Sequence, residues 1–202
     1  MKVEEAVKKR RSIRSYLDKK IEKSILEELI YLANLAPTAH SFQNRHFIII
    51  QNKEKMKKIW EHACKQDHVK NASVLIAVAA DMEIWDPKET IEDFYKFDMY
   101  LWDVNSEEYI KNKDFMRNFE FWKRLWSIQD VDASTTTLIL AATEKGIGSC
   151  WVGAFDSEKI GEILKIPRNY RVIALITLGY KKQDPWPQKR KETEELIHWE
   201  NW

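Results

Sequence analysis

A cluster of basic and hydroxyl side chains lies near the amino terminus, at Arg10, Arg11, Ser12 and Arg14. Guanidinium groups form charge-assisted, often bidentate hydrogen bonds with phosphate oxygens, and a nearby hydroxyl can add a further donor. The cluster is therefore a candidate phosphate site. The alternative is a solvated basic turn, because runs of charge usually face water.

A second candidate is the segment 36–44, APTAHSFQN, which follows an apolar helical pattern and precedes a strand-like one. Its small residues and side-chain amides would suit contact with a polar heterocycle. An ordinary helix-to-strand loop is the alternative, since Pro, Ser and Asn are common in loops. The residue types alone leave both interpretations open.

The third candidate, GIGSCWVGAF at 146–155, contains a GxG pair. It has neither the GxGxxG spacing nor a preceding strand, so a Rossmann dinucleotide-binding turn is disfavoured. Cys150 has no second cysteine or evident histidine partner, which favours packing over a redox role. The two cysteines and five histidines show no metal-ligand spacing, and no metal site is expected.

Alternating helical and strand-like patterns would position these segments. Apolar periodicity predicts helices at 3–9, 24–36, 53–64, 130–145 and from about 156 to before Pro167. Ser24 and Glu27 form a predicted capping box on the second helix, and Gly146 a cap that ends the fourth. Strands are predicted at 46–51, 73–80, 149–155 and 171–178, the first two of them buried. This order predicts one domain of mixed α and β structure spanning 1–202.

Composition narrows the classes of function. The chain has 33 Lys and Arg against 32 Asp and Glu, a net charge of +1, so no global attraction to nucleic acid or an anionic membrane is expected. The longest apolar stretches, such as 74–80 and 172–178, are far shorter than the roughly 20 residues that span a bilayer. The first residues lack the apolar run of a signal peptide, which favours a cytoplasmic location.

The joint order of these segments resembles the nitroreductase family over nearly the whole chain. RRSIRSY at 10–16 is similar to the family's Arg-x-Ser-x-Arg/Lys element, and APTAHSFQNRHFIII at 36–50 to its APSAxNxQPWxFxVV segment. Residues 130–156 resemble its central helix, glycine turn and flavin-flanking strand, and 158–180 its LGLPxGxxxxxxxxLGY element. The tail KRKETEELI at 189–197 is similar to the basic-then-acidic carboxy-terminal element.

Two departures from that pattern stand out. Asn44 and Arg45 replace the usual Pro-Trp, which would alter the wall near the flavin edge, and Lys191, Glu192 and Thr193 replace a common Lys-Pro-Leu. Neither departure removes a basic residue of the candidate phosphate site. The Glu, Tyr and Lys set of the deiodinase subgroup is not evident, which disfavours dehalogenation.

The resemblance implies an α+β fold with a central, mostly antiparallel sheet flanked by helices. It also implies flavin mononucleotide (FMN) bound at a homodimer interface, with the carboxy-terminal segment extending onto the partner subunit. No catalytic side chain is implied, because the backbone N–H of Gly153 would contact flavin N5. By matched position, the phosphate contacts would be Arg10, Ser12, Arg14 and Arg190, and Arg11 lies where the family varies. The loop would contribute Pro37, Thr38 and Ala39, and also Ser41 and Gln43 across the interface. Along one flavin face would lie Cys150, Trp151, Val152 and Gly153.

The activity implied is an NAD(P)H-dependent FMN oxidoreductase that reduces small planar, electron-poor acceptors such as nitroaromatics or quinones by a ping-pong mechanism. Half of the chain's aromatic residues fall in 83–126, where the family carries a variable insertion. We hypothesise an aromatic lid there, with core and dimer packing as the alternative. The candidates are Trp85, Phe94, Tyr95, Tyr100, Trp102, Phe119 and Trp122. A flavin store, sensor or regulatory protein of the same fold is the main alternative function, and a homodimer that has lost FMN is a third.

Overall fold

The structure, a computed structural model, describes residues 1–84 and 119–202, in which single helices or pairs of helices lie between the strands. In chain order they are α1 (Val3–Lys9), α2 (Lys23–Asn34), β1 (Arg45–Ile50), α3 (Lys53–Ala63), α4 (Asp67–Asn71), β2 (Val74–Asp81), α5 (Phe119–Glu144), β3 (Gly148–Val152), α6 (Ser157–Leu164) and β4 (Tyr170–Gly179). Short 3₁₀ turns cover Ala39–Ser41 and Thr193–Glu195.

The four strands form one antiparallel sheet in the order β1-β2-β4-β3. Strands β2 and β4 occupy the centre, and their register shifts once, at Val78/Ala79, where a bulge interrupts the ladder. Strands β1 and β3 are the two edges. An α+β fold with an antiparallel sheet is thus confirmed.

Helices cover both faces of the sheet, which explains why β2 is a continuous apolar run rather than an alternating one. Alternate residues of β2, such as Ile76 and Val78, join the core formed with α2 and α5, and the intervening ones, such as Leu75 and Ala77, join the core on the other face. All four side chains are fully buried. The second core includes residues of α3 and α6.

Helix α5 is the long central helix and begins at Phe119, earlier than the predicted residue 130. Its buried face recurs with helical spacing and includes small polar side chains, Ser134 and Thr135, that allow close approach to the sheet. Gly146, with φ of 70°, ends it as predicted, and Ile147 N–H bonds the carbonyl of Ala142 at 2.8 Å.

Residues 119–126 of the aromatic segment lie in helix α5. Residues 85–118 lie outside the described residues, and the aromatic lid stays a prediction.

Three local expectations are corrected by the structure. The capping box on α2 is wrong, because the helix begins at Lys23 with Glu22 as N-cap and no side-chain cap bond, so Ser24 lies inside the first turn. Strand β1 is only partly buried, because it is an edge strand that exposes His46 and Ile49, while Arg45 and Ile50 at its ends are buried. Helix α4 was not predicted.

Candidate functional site

The basic turn at residues 10–14 lies along strand β3. The N–H of Ile13 donates to the carbonyl of Ser149 at 2.8 Å, and Ser12 pairs with Ser149 as an isolated parallel bridge. A side chain at Gly148 would prevent this approach, because a Cβ there would lie 2.9 Å from Cγ1 of Ile13. The first and third candidate segments of the sequence are therefore side by side.

A buried tyrosine holds this turn in place. Tyr16 is 8% exposed, and its Oη donates to the carbonyl of Ile13 at 2.6 Å and lies 2.7 Å from Oγ1 of Thr177 on β4. The Thr177 hydroxyl is also 3.4 Å from the carbonyl of Cys150. Burial raises the pKa of Tyr16, so the phenol stays protonated and available as a donor. One buried network thus joins the turn to β3 and β4.

The side chain of Cys150 interacts with the polar groups of the turn. Burial raises the pKa of the Cys150 thiol, while the charge of Arg14 and hydrogen bonding with Ser12 and Arg14 lower it in part. The Sγ donates weakly to the carbonyl of Trp151 at 3.6 Å. A buried, protonated thiol is a poor nucleophile, so this arrangement favours packing over catalysis.

His68 is a member of the same neighbourhood that sequence reasoning missed. It lies on α4 and is 6% exposed, and its Nε2 is buried without a hydrogen-bond partner. Burial lowers the pKa of His68, the positive charge of Arg14 lowers it further, and Asp67 opposes both. The imidazole therefore lies within the electrostatic range of Arg14, and burial favours its neutral form. No spacing signal could have identified it, since the interaction depends on how α4 packs.

The three arginines of the turn are not equivalent. Arg14 is exposed and acts on both Cys150 and His68, whereas Arg10 is half-buried. The Nη1 of Arg11 donates to the carbonyls of Lys8 and Arg10, each at 2.9 Å, which engages its guanidinium with the end of α1.

The loop at residues 37–43 leads into β1, the edge strand on the side of the sheet opposite to β3. Its 3₁₀ turn is fixed by the N–H of Ala39, which donates to Oδ1 of Asp130 at 2.8 Å, and by Gln43 N–H, which donates to Oγ1 of Thr38 at 3.3 Å. Ser41 and Gln43 both have left-handed φ angles, of 55° and 51°. The loop exposes Pro37, Ser41 and Gln43, while Thr38 and Ala39 are half-buried.

Within one chain, this loop and the basic turn belong to different edges. The loop enters β1, the turn lies along β3, and two strands intervene. With about 4.8 Å between neighbouring strands, the two edges are about 14 Å apart. The structure therefore places the basic turn next to segment 146–155 and separates loop 37–43 from both.

The other predicted contacts lie at exposed ends. Gly153 follows the last residue of β3 and is exposed, whereas Trp151 is half-buried and Val152 fully buried on the strand. Arg190 is exposed in the tail, where its Nη1 bonds Oε1 of Gln188 at 3.3 Å. The tail also presents large apolar side chains to solvent: Trp186, Leu196, Trp199 and Trp202.

Two classes of site find no support in residues 1–84 and 119–202. No three His, Cys, Asp or Glu side chains there are grouped to hold a metal ion. No helix in those ranges is long and apolar enough to cross a membrane.

Comparison with known proteins gives a consistent result. The model of the nitroreductase family matches residues 7–180. An Archaeoglobus fulgidus protein with the provisional name NADH dehydrogenase/NAD(P)H nitroreductase is 31% identical over 199 residues, covering 96% of this chain and 94% of that protein. The oxygen-insensitive NADPH nitroreductase of Helicobacter pylori is 24% identical over 178 residues, 86% of this chain and 84% of its own. A nitroreductase family protein from Streptococcus pneumoniae superimposes with a TM-score of 0.78 at 27% identity, covering 98% and 99% of the two chains.

Proposed function

Since this chain belongs to the nitroreductase family and is an NAD(P)H-linked oxidoreductase, we propose that it is an FMN-dependent homodimer that reduces electron-poor acceptors such as nitroaromatics or quinones. The observation that carries this proposal is the junction of the basic turn with β3, through the 2.8 Å bond from Ile13 to Ser149. It brings the candidate phosphate ligands Arg10, Ser12 and Arg14 next to a strand that is followed by an exposed glycine, Gly153.

The residues at this junction fit a phosphorylated flat heterocycle. The net charge of the chain is only +1, so an anion requires a local group of cations, and Arg10 and Arg14 supply one beside the Ser12 hydroxyl. The buried, unpartnered Nε2 of His68 is an unsatisfied polar group in the same neighbourhood. Buried polar groups without partners are rare, and a bound ligand is one explanation for them.

The chain's own groups have separate tasks in this proposal. Arg10, Ser12 and Arg14 would hold the phosphate, with Arg190 from a tail, and Arg11 would stay on the carbonyls at the end of α1. The backbone of β3 at Cys150, Trp151 and Val152 would pass one face of the ring, since the side chains of Cys150 and Val152 are buried, and the backbone N–H of Gly153 would donate to its N5. Bound FMN supplies hydride transfer, so no acid-base pair of side chains is required. Donor and acceptor would occupy the same face in turn, which gives a ping-pong order.

The separation of loop 37–43 from the basic turn within one chain supports the proposed homodimer. Loop 37–43 enters one edge strand and the basic turn lies along the other, and these strands are about 14 Å apart across the sheet; in the proposed dimer a second copy brings its loop to the first copy's turn. The tail supports the same arrangement, because Trp199 and Trp202 are 83% and 101% exposed and would be covered by a partner surface. This places Ser41 and Gln43 of one copy near Arg14 of the other in the proposed dimer.

Removal of the phosphate ligands tests the cofactor assignment. The double variant Arg14→Ala/Arg190→Ala should bind FMN at least 100-fold more weakly, about 1.4 kcal/mol for each factor of ten, while remaining folded. The control is Lys57→Ala/Lys159→Ala, two exposed cations on α3 and α6 outside the proposed site. Fluorescence titration measures both. FMN affinity equal to wild type in the arginine variant would remove these residues from the phosphate site.

A further inference from the structure

Arg45 is a buried cation at the start of β1, where the resembling family segment carries Trp. Its side chain is not part of an open wall: the residue is 5% exposed, and its Nη2 donates to the carbonyls of Asn34 at 2.7 Å and Ala36 at 2.9 Å. Those carbonyls lie at the end of α2, where the helix dipole favours a positive charge. The Nε and Nη1 atoms are buried without hydrogen-bond partners.

Asp130 of α5 supplies the opposite charge. It is 4% exposed, and its negative charge counteracts the effect of burial, which lowers the pKa of Arg45. The same carboxylate accepts the N–H of Ala39, at the first residue of the 3₁₀ turn. One carboxylate therefore acts on both the buried cation and the middle of loop 37–43.

A third buried contact fixes the far end of this loop. Nδ2 of Asn44 donates to Oγ of Ser127 at 3.2 Å, and both residues are fully buried. Ser127 and Asp130 are three residues apart and so lie on the same face of α5. The loop is held by buried polar groups at its start, middle and end.

We propose that Arg45 and Asp130 are positioning residues that fix loop 37–43 in the conformation with which it contacts FMN bound to the partner subunit. This inference rests on the proposed function. Neither residue would touch the cofactor; each acts through the loop backbone, by the carbonyl of Ala36 and the N–H of Ala39.

Two observations favour positioning over simple stabilisation. Buried opposite charges contribute little net stability compared with well-packed apolar residues of the same volume, so their presence needs another explanation. In addition, the loop contains two non-glycine residues with left-handed φ, Ser41 and Gln43, a conformation that persists only where surrounding contacts impose it. Both are residues that we assign to flavin contact.

The experiment measures FMN affinity by fluorescence, the absorption spectrum of the bound flavin, and the melting temperature of the apo protein. Arg45→Met and Asp130→Ala should each weaken FMN binding at least tenfold and shift the bound spectrum. The double variant should be no more than threefold weaker than either single variant, because both act through one loop. Arg45→Lys should stay within threefold of wild type, because a single Lys ammonium can donate to both carbonyls that Nη2 serves.

Met56→Ala is the control for lost stability, since Met56 is fully buried in the other core, on α3. It should lower the melting temperature and leave FMN affinity within twofold of wild type. The proposal is overturned if Arg45→Met and Asp130→Ala, like Met56→Ala, lower the melting temperature but leave FMN affinity within twofold of wild type. Should either variant fail to fold, Asp130→Asn takes its place, because it removes the charge but keeps an oxygen acceptor. We expect Asp130→Asn to bind FMN at least threefold more weakly than wild type. Unchanged binding would overturn the proposal. A wild-type protein that binds no FMN would overturn the proposed function as well.

Discussion

The hydroxyl of Tyr16 is a single group on which the geometry of the basic turn depends. It donates to the carbonyl of Ile13 inside the turn and lies within hydrogen-bond distance of the Thr177 hydroxyl on the central strand β4. It therefore fixes the position of Ser12 and Arg14 relative to the sheet. The turn has no long helix of its own to hold it. Its precision must come from such individual contacts.

Replacing Tyr16 with Phe tests this dependence. The variant leaves a buried carbonyl and hydroxyl without their partner, which should cost about 1–3 kcal/mol of stability and weaken FMN binding several-fold as the turn loosens. Thermal unfolding and fluorescence titration measure the two effects. Tyr31→Phe on α2, where the side chain is 63% exposed, should change neither. Equal FMN affinity in Tyr16→Phe and wild type would show that the turn does not need this anchor.

His68 predicts a dependence of stability on pH. Because its pKa is lower in the folded protein than the ordinary value of about 6.5, the unfolded chain binds more protons in the interval between the two. Its contribution to stability is therefore complete above about pH 6.5 and decreases as the pH falls towards the lowered folded value.

The measurement is the melting temperature of the apo protein from pH 7.5 to 5.5. Wild type should lose more stability over this range than His68→Gln. His62→Gln, an exposed position on α3, should follow wild type. Identical pH profiles for wild type and His68→Gln would contradict the assignment.

At the scale of elements, the contact between the turn and β3 depends on the absence of a side chain at residue 148. A Cβ there would lie 2.9–3.0 Å from three carbon atoms of Ile13, which is itself buried. Gly148→Ala should therefore push the turn off the strand, lowering both the melting temperature and FMN affinity. In contrast, Gly161→Ala in α6 meets nothing within 4 Å and should stabilise the protein by about 0.5–1 kcal/mol. If Gly148→Ala binds FMN like wild type, the contact does not position the site.

The elements that sequence patterns predicted well are those whose burial is uniform. Strands β2 and β4 lie in the centre of the sheet between two helical layers, and so they are long apolar runs. At the start of α6, Asp156 caps the helix by accepting hydrogen bonds from the N–H groups of Glu158 and Lys159, each at 3.0 Å. Strand β1 was assigned as buried because its Ile run cannot reveal an edge position. The capping box at Ser24 fits the sequence rule, but the helix begins one residue earlier and uses none of it.

The site was predictable only in part, for a related reason. The resemblance predicts cofactor contacts in the turn, the loop and β3, because each is a local pattern of residues, and these contacts stay predictions. Interactions between distant residues leave no such pattern: the effect of Arg14 on His68 and the hydrogen bond from Ala39 to Asp130 depend on how helices pack on the sheet. The effect of the Asn44–Arg45 departure could not be judged from spacing either, since Arg45 turns into the protein rather than towards an open wall.

At the scale of the whole molecule, the chain carries separate halves of a proposed site. The turn and β3 form one half on one edge of the sheet, and loop 37–43 forms the other half at the opposite edge. The exposed Trp residues of the tail add a surface suited to a second copy. We propose that two such chains together hold FMN and pass electrons from a reduced nicotinamide to an acceptor.

The visible spectrum of the FMN-loaded protein, recorded without oxygen before and after addition of NADH or NADPH, tests this electron transfer. We predict that the bands of the oxidised flavin bleach with at least one of the nucleotides and return when a quinone is added. A protein that binds FMN but whose bands persist with both nucleotides would contradict this electron transfer and favour a flavin store. A protein that binds no FMN would contradict the proposed cofactor site.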